Sequence, residues 1–215
     1  MPRADTFEPL RSCNEPAFEE FYSIYTESIA EREQKPKAWI CEMVRRHDYR
    51  FFLLKRDGHV IGFSIFYLSH SEEFDLLEYM AIASAYRNEG LGSDLFRRSI
   101  NHVTRRGQHV PVLLEVDSDR EACPDQALRA RRQQLYRRLG CLRLTGLAYI
   151  LPLQGEAAPP CMDLMIYPDG DLSLIPKSVL ERWLRIIYQN VYGCSPDDPR
   201  INQMLLNVSD PVRLE

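Results

Sequence analysis

The stretch from Tyr79 to Ser93 constrains this chain most. Tyr79-Met80-Ala81-Ile82 ends a run with strand-like alternation, a short loop follows, and a helical pattern starts directly on Gly90-Leu91-Gly92. Leu91, Leu95, Phe96, Ile100 and Val103 then form one apolar stripe, with Arg97, Arg98, Arg105 and Arg106 on the other side and Gly107 as a stop signal. The first amides of a helix have no partner within it and point outward. Together with the helix dipole they make a site for anionic oxygen. Glycines at 90 and 92 leave the backbone open to a close approach by phosphate. No Gly-Lys-Ser/Thr follows, so this is not a nucleotide-triphosphate loop. The third glycine of the dinucleotide fingerprint is absent, and an antiparallel pattern precedes the loop.

The flanking pattern sets the fold class. A short strand is expected at 6–10. Asn14 offers a helix cap ahead of Phe18, Phe21, Tyr22 and Tyr25 at helical spacing. The polar run 31–36 breaks that helix, and a second is expected at 37–46 with Trp39, Ile40, Met43 and Val44 on its buried side. The period then changes to two. Residues 51–54, 60–68 and 74–82 read as an antiparallel meander, with Asp57-Gly58 as its first hairpin turn. After the glycine loop and its helix come a buried strand at 110–116, a helix at 126–139, strands at 142–151 and 162–167, and a last amphipathic helix at 173–192. The order implies an α/β (α+β) layout, with one mixed, mostly antiparallel central sheet and helices on both faces. One domain is expected over 1–193, including the helix 173–193, followed by a tail at 194–215.

Composition narrows the function. The chain has 215 residues and a net charge of −4, which argues against a general nucleic-acid binder. No stretch approaches the roughly 20 apolar residues of a membrane helix, and the first residues do not read as a signal peptide. A cytoplasmic location is expected. The six cysteines form no CxxC pair and no zinc spacing, so they read as reduced thiols and no metal is expected.

The loop Arg87-Asn88-Glu89-Gly90-Leu91-Gly92-Ser93 resembles the acyl-CoA loop of the GCN5-related N-acetyltransferase (GNAT) family, Arg/Gln-x-x-Gly-x-Gly/Ala, with Arg87, Gly90 and Gly92 as the matching positions. Leu135-Tyr136-Arg137-Arg138-Leu139-Gly140 is similar to the family's Leu-Tyr-x-x-x-Gly-Phe block, and Leu114-Glu115-Val116 to its fifth-strand Leu-Glu-Val. The resemblance covers roughly residues 6–168. It implies that the amides from Asn88 to Ser93 bind the pyrophosphate of acetyl-CoA, with no metal. It also implies that the backbone of Met80, Ala81 and Ile82 pairs with the pantetheine arm as an added strand.

Acetyl transfer from a thioester to an amine requires deprotonation of the amine, stabilisation of a developing oxyanion and protonation of the thiolate. On the family pattern Tyr136 is the candidate acid. Arg132, one turn earlier, is placed to lower its pKa or to meet a CoA phosphate. Glu115 is the first candidate base, expected to be buried. Glu78 is the second, sharing an apolar face with Phe74, Leu76, Met80 and Ile82, unless a bulge turns it outward. Glu31 and Glu33 lie where the family often lines its acceptor pocket. They would suit a cationic amine, but a plain solvated turn is the simpler explanation.

The pattern departs from the family at Arg129 and Arg132, where asparagine and alanine are common, at the long connection 117–125, and at Cys141, which replaces a phenylalanine. These touch the acceptor side and leave the pyrophosphate loop intact. The expected activity is transfer of an acetyl group to a primary amine of a small molecule or peptide. The alternatives are a non-catalytic acyl-CoA-binding module and an acyltransferase with a longer donor. The apolar last helix would serve a homodimer as well as a core.

Overall fold

The computed structural model describes residues 5–69, 74–104, 110–120, 122–153 and 159–215. They fall into two compact units, one formed by 1–70 and 76–109, the other by 71–75 and 110–215. The fold is the expected mixed α/β arrangement with mostly antiparallel pairing.

In the first unit, β1 (Thr6–Leu10), β2 (Tyr49–Arg56), β3 (His59–Leu68) and β4 (Asp75–Ile82) lie side by side in that order. β1 and β2 pair antiparallel from Thr6 opposite Lys55 to Leu10 opposite Phe51. β2 and β3 form the hairpin, with Asp57 and Gly58 both at positive φ, as a tight turn between right-twisted strands requires. All of β3 after His59 is buried. Its alternation is weak because both faces are covered. Helix α1 (Pro16–Ser28) covers one face: the Phe21 ring sits 4.9 Å from Phe63 and 5.7 Å from Phe51. Helix α3 (Leu91–Thr104) covers the other, where Ser99 and Ser64 share a hydrogen bond of 2.7 Å and His102 lies 4.8 Å from the Phe52 ring. The stop expected at Gly107 lies outside the described residues.

Helix α2 (Lys37–Arg45) buries Ile40 and Met43, but Trp39 is 56% exposed. Its spacing places Trp39 close to Met43 around the helix, so what the sequence could not show is how far the cover reaches. The cap expected from Asn14 is also absent. Glu15 precedes Pro16, and no side chain caps the helix.

In the second unit β5 (Val112–Asp117) pairs antiparallel with β8 (Cys161–Tyr167), which also pairs with β6 (Leu142–Arg143) and β7 (Tyr149–Ile150). The strand expected over 142–151 is therefore two short pieces. Gly146 between them holds a left-handed φ of 76°, and a β-carbon there would sit 3.1 Å from the Asn207 carbonyl. Helix α4 (Gln126–Arg138) packs on β5. Helix α5 (Lys177–Asn190) begins later than expected, after β9 (Leu174–Ile175). The segment beyond 194 is more than a tail. Helix α6 (Pro199–Leu205) buries Ile201, Met204 and Leu205, and β10 (Val212–Arg213) pairs with β9. The last residues also bond to 143–145, with the Thr145 amide donating to the Arg213 carbonyl at 2.9 Å.

Among the described residues no helix is long and apolar enough to cross a membrane. All six cysteines are free.

Candidate functional site

The glycine loop takes the conformation its sequence asks for. A single 3-10 turn, Ser84–Tyr86, leads out of β4. Asn88 and Gly90 then stand at φ 69° and 80°, and α3 starts at Leu91. Nothing lies within 4 Å of where a Gly90 β-carbon would be, so this glycine is required by its backbone angle and the space above it is open. The amides of Ser93 and Asp94 turn back to the Gly90 carbonyl at 3.1 and 3.3 Å. None of the amides from Asn88 to Gly92 donates to an acceptor among the described residues. They form a row of outward donors at the positive end of a four-turn helix, suited to a pyrophosphate.

The side chains of the loop brace it. Arg87 Nε donates to the Ile82 carbonyl at 2.9 Å, and Nη2 donates to Ser28 Oγ at 3.1 Å. Arg56 joins Glu89 at 2.8 Å while gripping Asp5 with two hydrogen bonds of 2.8 and 2.9 Å. Behind the end of β4, a β-carbon at Gly62 would lie 2.5 Å from Ile82 Cδ1 and 3.0 Å from the Ala81 carbonyl. This glycine is what lets β3 and the stretch Met80–Ile82 come so close.

Glu78, two residues before Met80, is not turned outward. Its side chain is 1% exposed, and Lys35 Nζ lies 2.8 Å from Oε1. That approach is off the axis of a hydrogen bond: neither carboxylate oxygen receives a directed donor among the described residues. The Tyr49 phenol also faces this carboxylate, and its own burial with the nearby negative charge pushes it well above its ordinary range. Glu31 and Glu33 form a 3-10 turn just before Lys35. Glu31 is exposed, and Arg32 Nε is 3.7 Å from the Glu33 carboxylate. The Glu33 backbone carbonyl accepts from Tyr79 Oη on β4 at 3.0 Å.

In the second unit, half-buried Glu115 on β5 has both oxygens engaged. Tyr149 Oη donates to one, and Tyr192 Oη to the other at 2.5 Å. Tyr136 is buried on α4. Burial raises its phenol to about 12, against a smaller lowering by the Arg132 charge. The expected lowering by Arg132 is thus outweighed, and Arg132 itself pairs with Asp117. A phenol raised in this way remains a proton donor throughout the neutral range.

The acetyltransferase (GNAT) family profile matches residues 14–140. The chain belongs to the GNAT acetyltransferase family. A protein assigned to GNAT from Bacteroides thetaiotaomicron superposes with a TM-score of 0.69 at 23% identity, covering 88% of this chain and 99% of that one. The ribosomal-protein-S18-alanine N-acetyltransferase of Escherichia coli gives 0.57 at 20%, covering 79% and 99%. A GNAT acetyltransferase from Elizabethkingia anophelis, solved with acetyl-CoA bound, gives 0.52 at 15%, covering 76% and 97%. No curated protein sequence matches.

Within this GNAT member the first unit brings together Glu78, Met80, Ala81, Ile82 and the loop 87–93 along one strand and the helix start that follows it. The second carries Glu115, Arg132 and Tyr136. Sequence reasoning missed Lys35, Tyr149 and Tyr192, which hold the two glutamates. Each lies far along the chain from its carboxylate, and no local spacing announces it.

Proposed function

We propose that the chain transfers an acetyl group from acetyl-CoA to a primary amine of a small molecule or peptide. The observation that carries this reading is the run of outward amides from Asn88 to Gly92 at the start of α3, directly after β4. In this reading they hold the pyrophosphate. Gly90 supplies the positive φ that aims them, and the backbone of Met80 and Ala81 pairs with the pantetheine arm. The Ile82 carbonyl accepts from Arg87 and keeps its second lone pair for the arm. The family's acetyl-CoA use and the acetyl-CoA-bound neighbour support the donor. The alanine amine and spermidine named for two neighbours support an amine acceptor.

In the proposed chemistry a carboxylate takes one proton from the ammonium and the nitrogen attacks the thioester carbon; the C–S bond breaks as Tyr136 protonates the departing sulfur, and the second proton shed by the nitrogen restores the phenol. Glu78 is the better base. Among the described residues neither of its oxygens receives a directed hydrogen bond, although the Tyr49 phenol faces them, whereas each Glu115 oxygen already accepts one from a phenol. A second reading, a non-catalytic CoA-binding module, draws on the same geometry: in this structure both carboxylates are engaged by groups of the chain itself.

The test is thermal unfolding with acetyl-CoA, with ATP and NAD as controls. At about 100 times the dissociation constant the donor adds roughly 2.7 kcal/mol. Gly90→Val, which forces a β-branched residue to positive φ, abolishes that shift. No shift in the wild-type protein overturns the reading. Tyr136→Phe separates the two readings: the enzyme loses CoA release and keeps donor affinity, whereas a binder has no release to lose.

A further inference from the structure

The Glu78 carboxylate raises a question that its catalytic candidacy does not answer. A carboxylate buried this deeply with no directed hydrogen bond among the described residues is costly, and the ammonium of Lys35 meets it off-axis. An ion pair kept only for stability is commonly matched or bettered by an apolar pair. The surroundings instead suit an alkylammonium. Lys35 Nζ lies 5.9 Å from the Tyr79 ring centroid, the Tyr25 ring packs edge-on to Tyr79 at 5.3 Å, and the Tyr49 phenol faces the carboxylate. Aromatic faces attract cations, and an ammonium brings three donors to a carboxylate.

We propose that Lys35 is a resident occupant of a primary-alkylammonium site at Glu78, and that the acceptor amine enters by displacing it.

The main chain around Lys35 does not depend on its side chain. The Lys35 amide donates to Tyr25 Oη at 2.7 Å, the Glu33 carbonyl accepts from Tyr79 Oη at 3.0 Å, and Gln34 Nε2 donates to the Thr26 and Ile29 carbonyls at 3.0 and 2.8 Å. Pro36 follows and restricts Lys35 to an extended backbone. The segment therefore stays in place while the lysine stem rotates. Lys35 is 12% exposed and Glu78 1%, so the lysine side chain reaches both solvent and the carboxylate. The inference rests on the donor reading in one respect. If pantetheine pairs along β4 at 80–81, a rise of about 3.3 Å per residue brings its thioester end toward residue 78.

The experiment uses the full chain, acetyl-CoA and n-butylamine, which copies the four-carbon stem and ammonium of lysine. Lys35→Met keeps the stem volume and removes the competing charge. It is expected to lower the KM for n-butylamine at least about tenfold, while the acetyl-CoA dissociation constant is unchanged. An unchanged or higher KM overturns the proposal. A binding readout stands apart from turnover. Lys35→Ala, with its carboxylate uncovered, is expected to gain thermal stability saturably from n-butylammonium and none from n-butanol. An equal response to both, or a response to neither, overturns it. Should Lys35→Ala fail to fold alone, recovery of folding with n-butylammonium supports the site, and failure to recover counts against it. Loss of the wild-type acetyl-CoA shift is the separate signature that the donor reading has failed, and the n-butylammonium response of Lys35→Ala is then still decisive for the amine site.

Discussion

Glu78 and Glu115 are chemically identical, and both sit on β-strands among apolar neighbours, one in each unit. Their surroundings differ in kind. Glu115 receives one phenol on each oxygen, from Tyr149 and from Tyr192. Glu78 has an ammonium beside it and the Tyr49 phenol facing it, with no directed donor on either oxygen among the described residues. Two short hydrogen bonds hold a carboxylate in place and favour its charged form, which suits a fixed structural or positioning anion. A partner carried on a rotatable lysine stem can leave, which suits a group that exchanges partners. Identical side chains are thus given different surroundings by what reaches them from elsewhere in the chain.

Four outcomes would break or sharpen this contrast. The largest is expected for Glu78→Gln, which should reduce CoA release about 100- to 1000-fold and leave acetyl-CoA affinity unchanged. If Glu115→Gln shows that loss in steady-state kinetics and Glu78→Gln does not, the assignment is reversed.

Next comes the alkaline stability limit of the second unit. The Tyr136 phenol is raised from an ordinary 10.0 to about 12. A raised phenol favours the neutral folded form, so its contribution is fully present below pH 10 and is lost as pH rises through about 12. Two units correspond to about 3 kcal/mol. Chemical denaturation across that window should show a shallower decline for Tyr136→Phe than for the wild type.

Tyr149→Phe is expected to cost about 2 kcal/mol, because it strips one donor from a half-buried carboxylate. Tyr192→Phe should cost about 1 kcal/mol, since its ring is less enclosed than that of Tyr149. Urea titration of both variants measures the clamp. If neither changes the midpoint, Glu115 is not held as described.

Much of this was legible in the residues. The change of period at 49–82, the Asp57-Gly58 turn and the glycine loop into α3 are local events, written within a few residues of where they act. Local spacing also placed Glu78 on an apolar face. It failed where distant chain decides: Trp39 carries the helical pattern of a buried residue and is exposed, and the run 142–151 reads as one strand but breaks at Gly146, where residue 207 passes close by. Residues 194–215 show little periodicity, and they are ordered by burying Ile201, Met204 and Val212.

By itself, then, the sequence determined the strand and helix order, the glycine loop that opens α3 and the two candidate carboxylates. Backbone sterics, helix ends and side-chain periodicity act over short separations. Only the tertiary structure decided that Lys35 sits against Glu78, 43 residues away, and that Tyr149 and Tyr192 close on Glu115 across 34 and 77 residues. Such pairings are chosen by packing of the whole chain, and no periodic pattern encodes them.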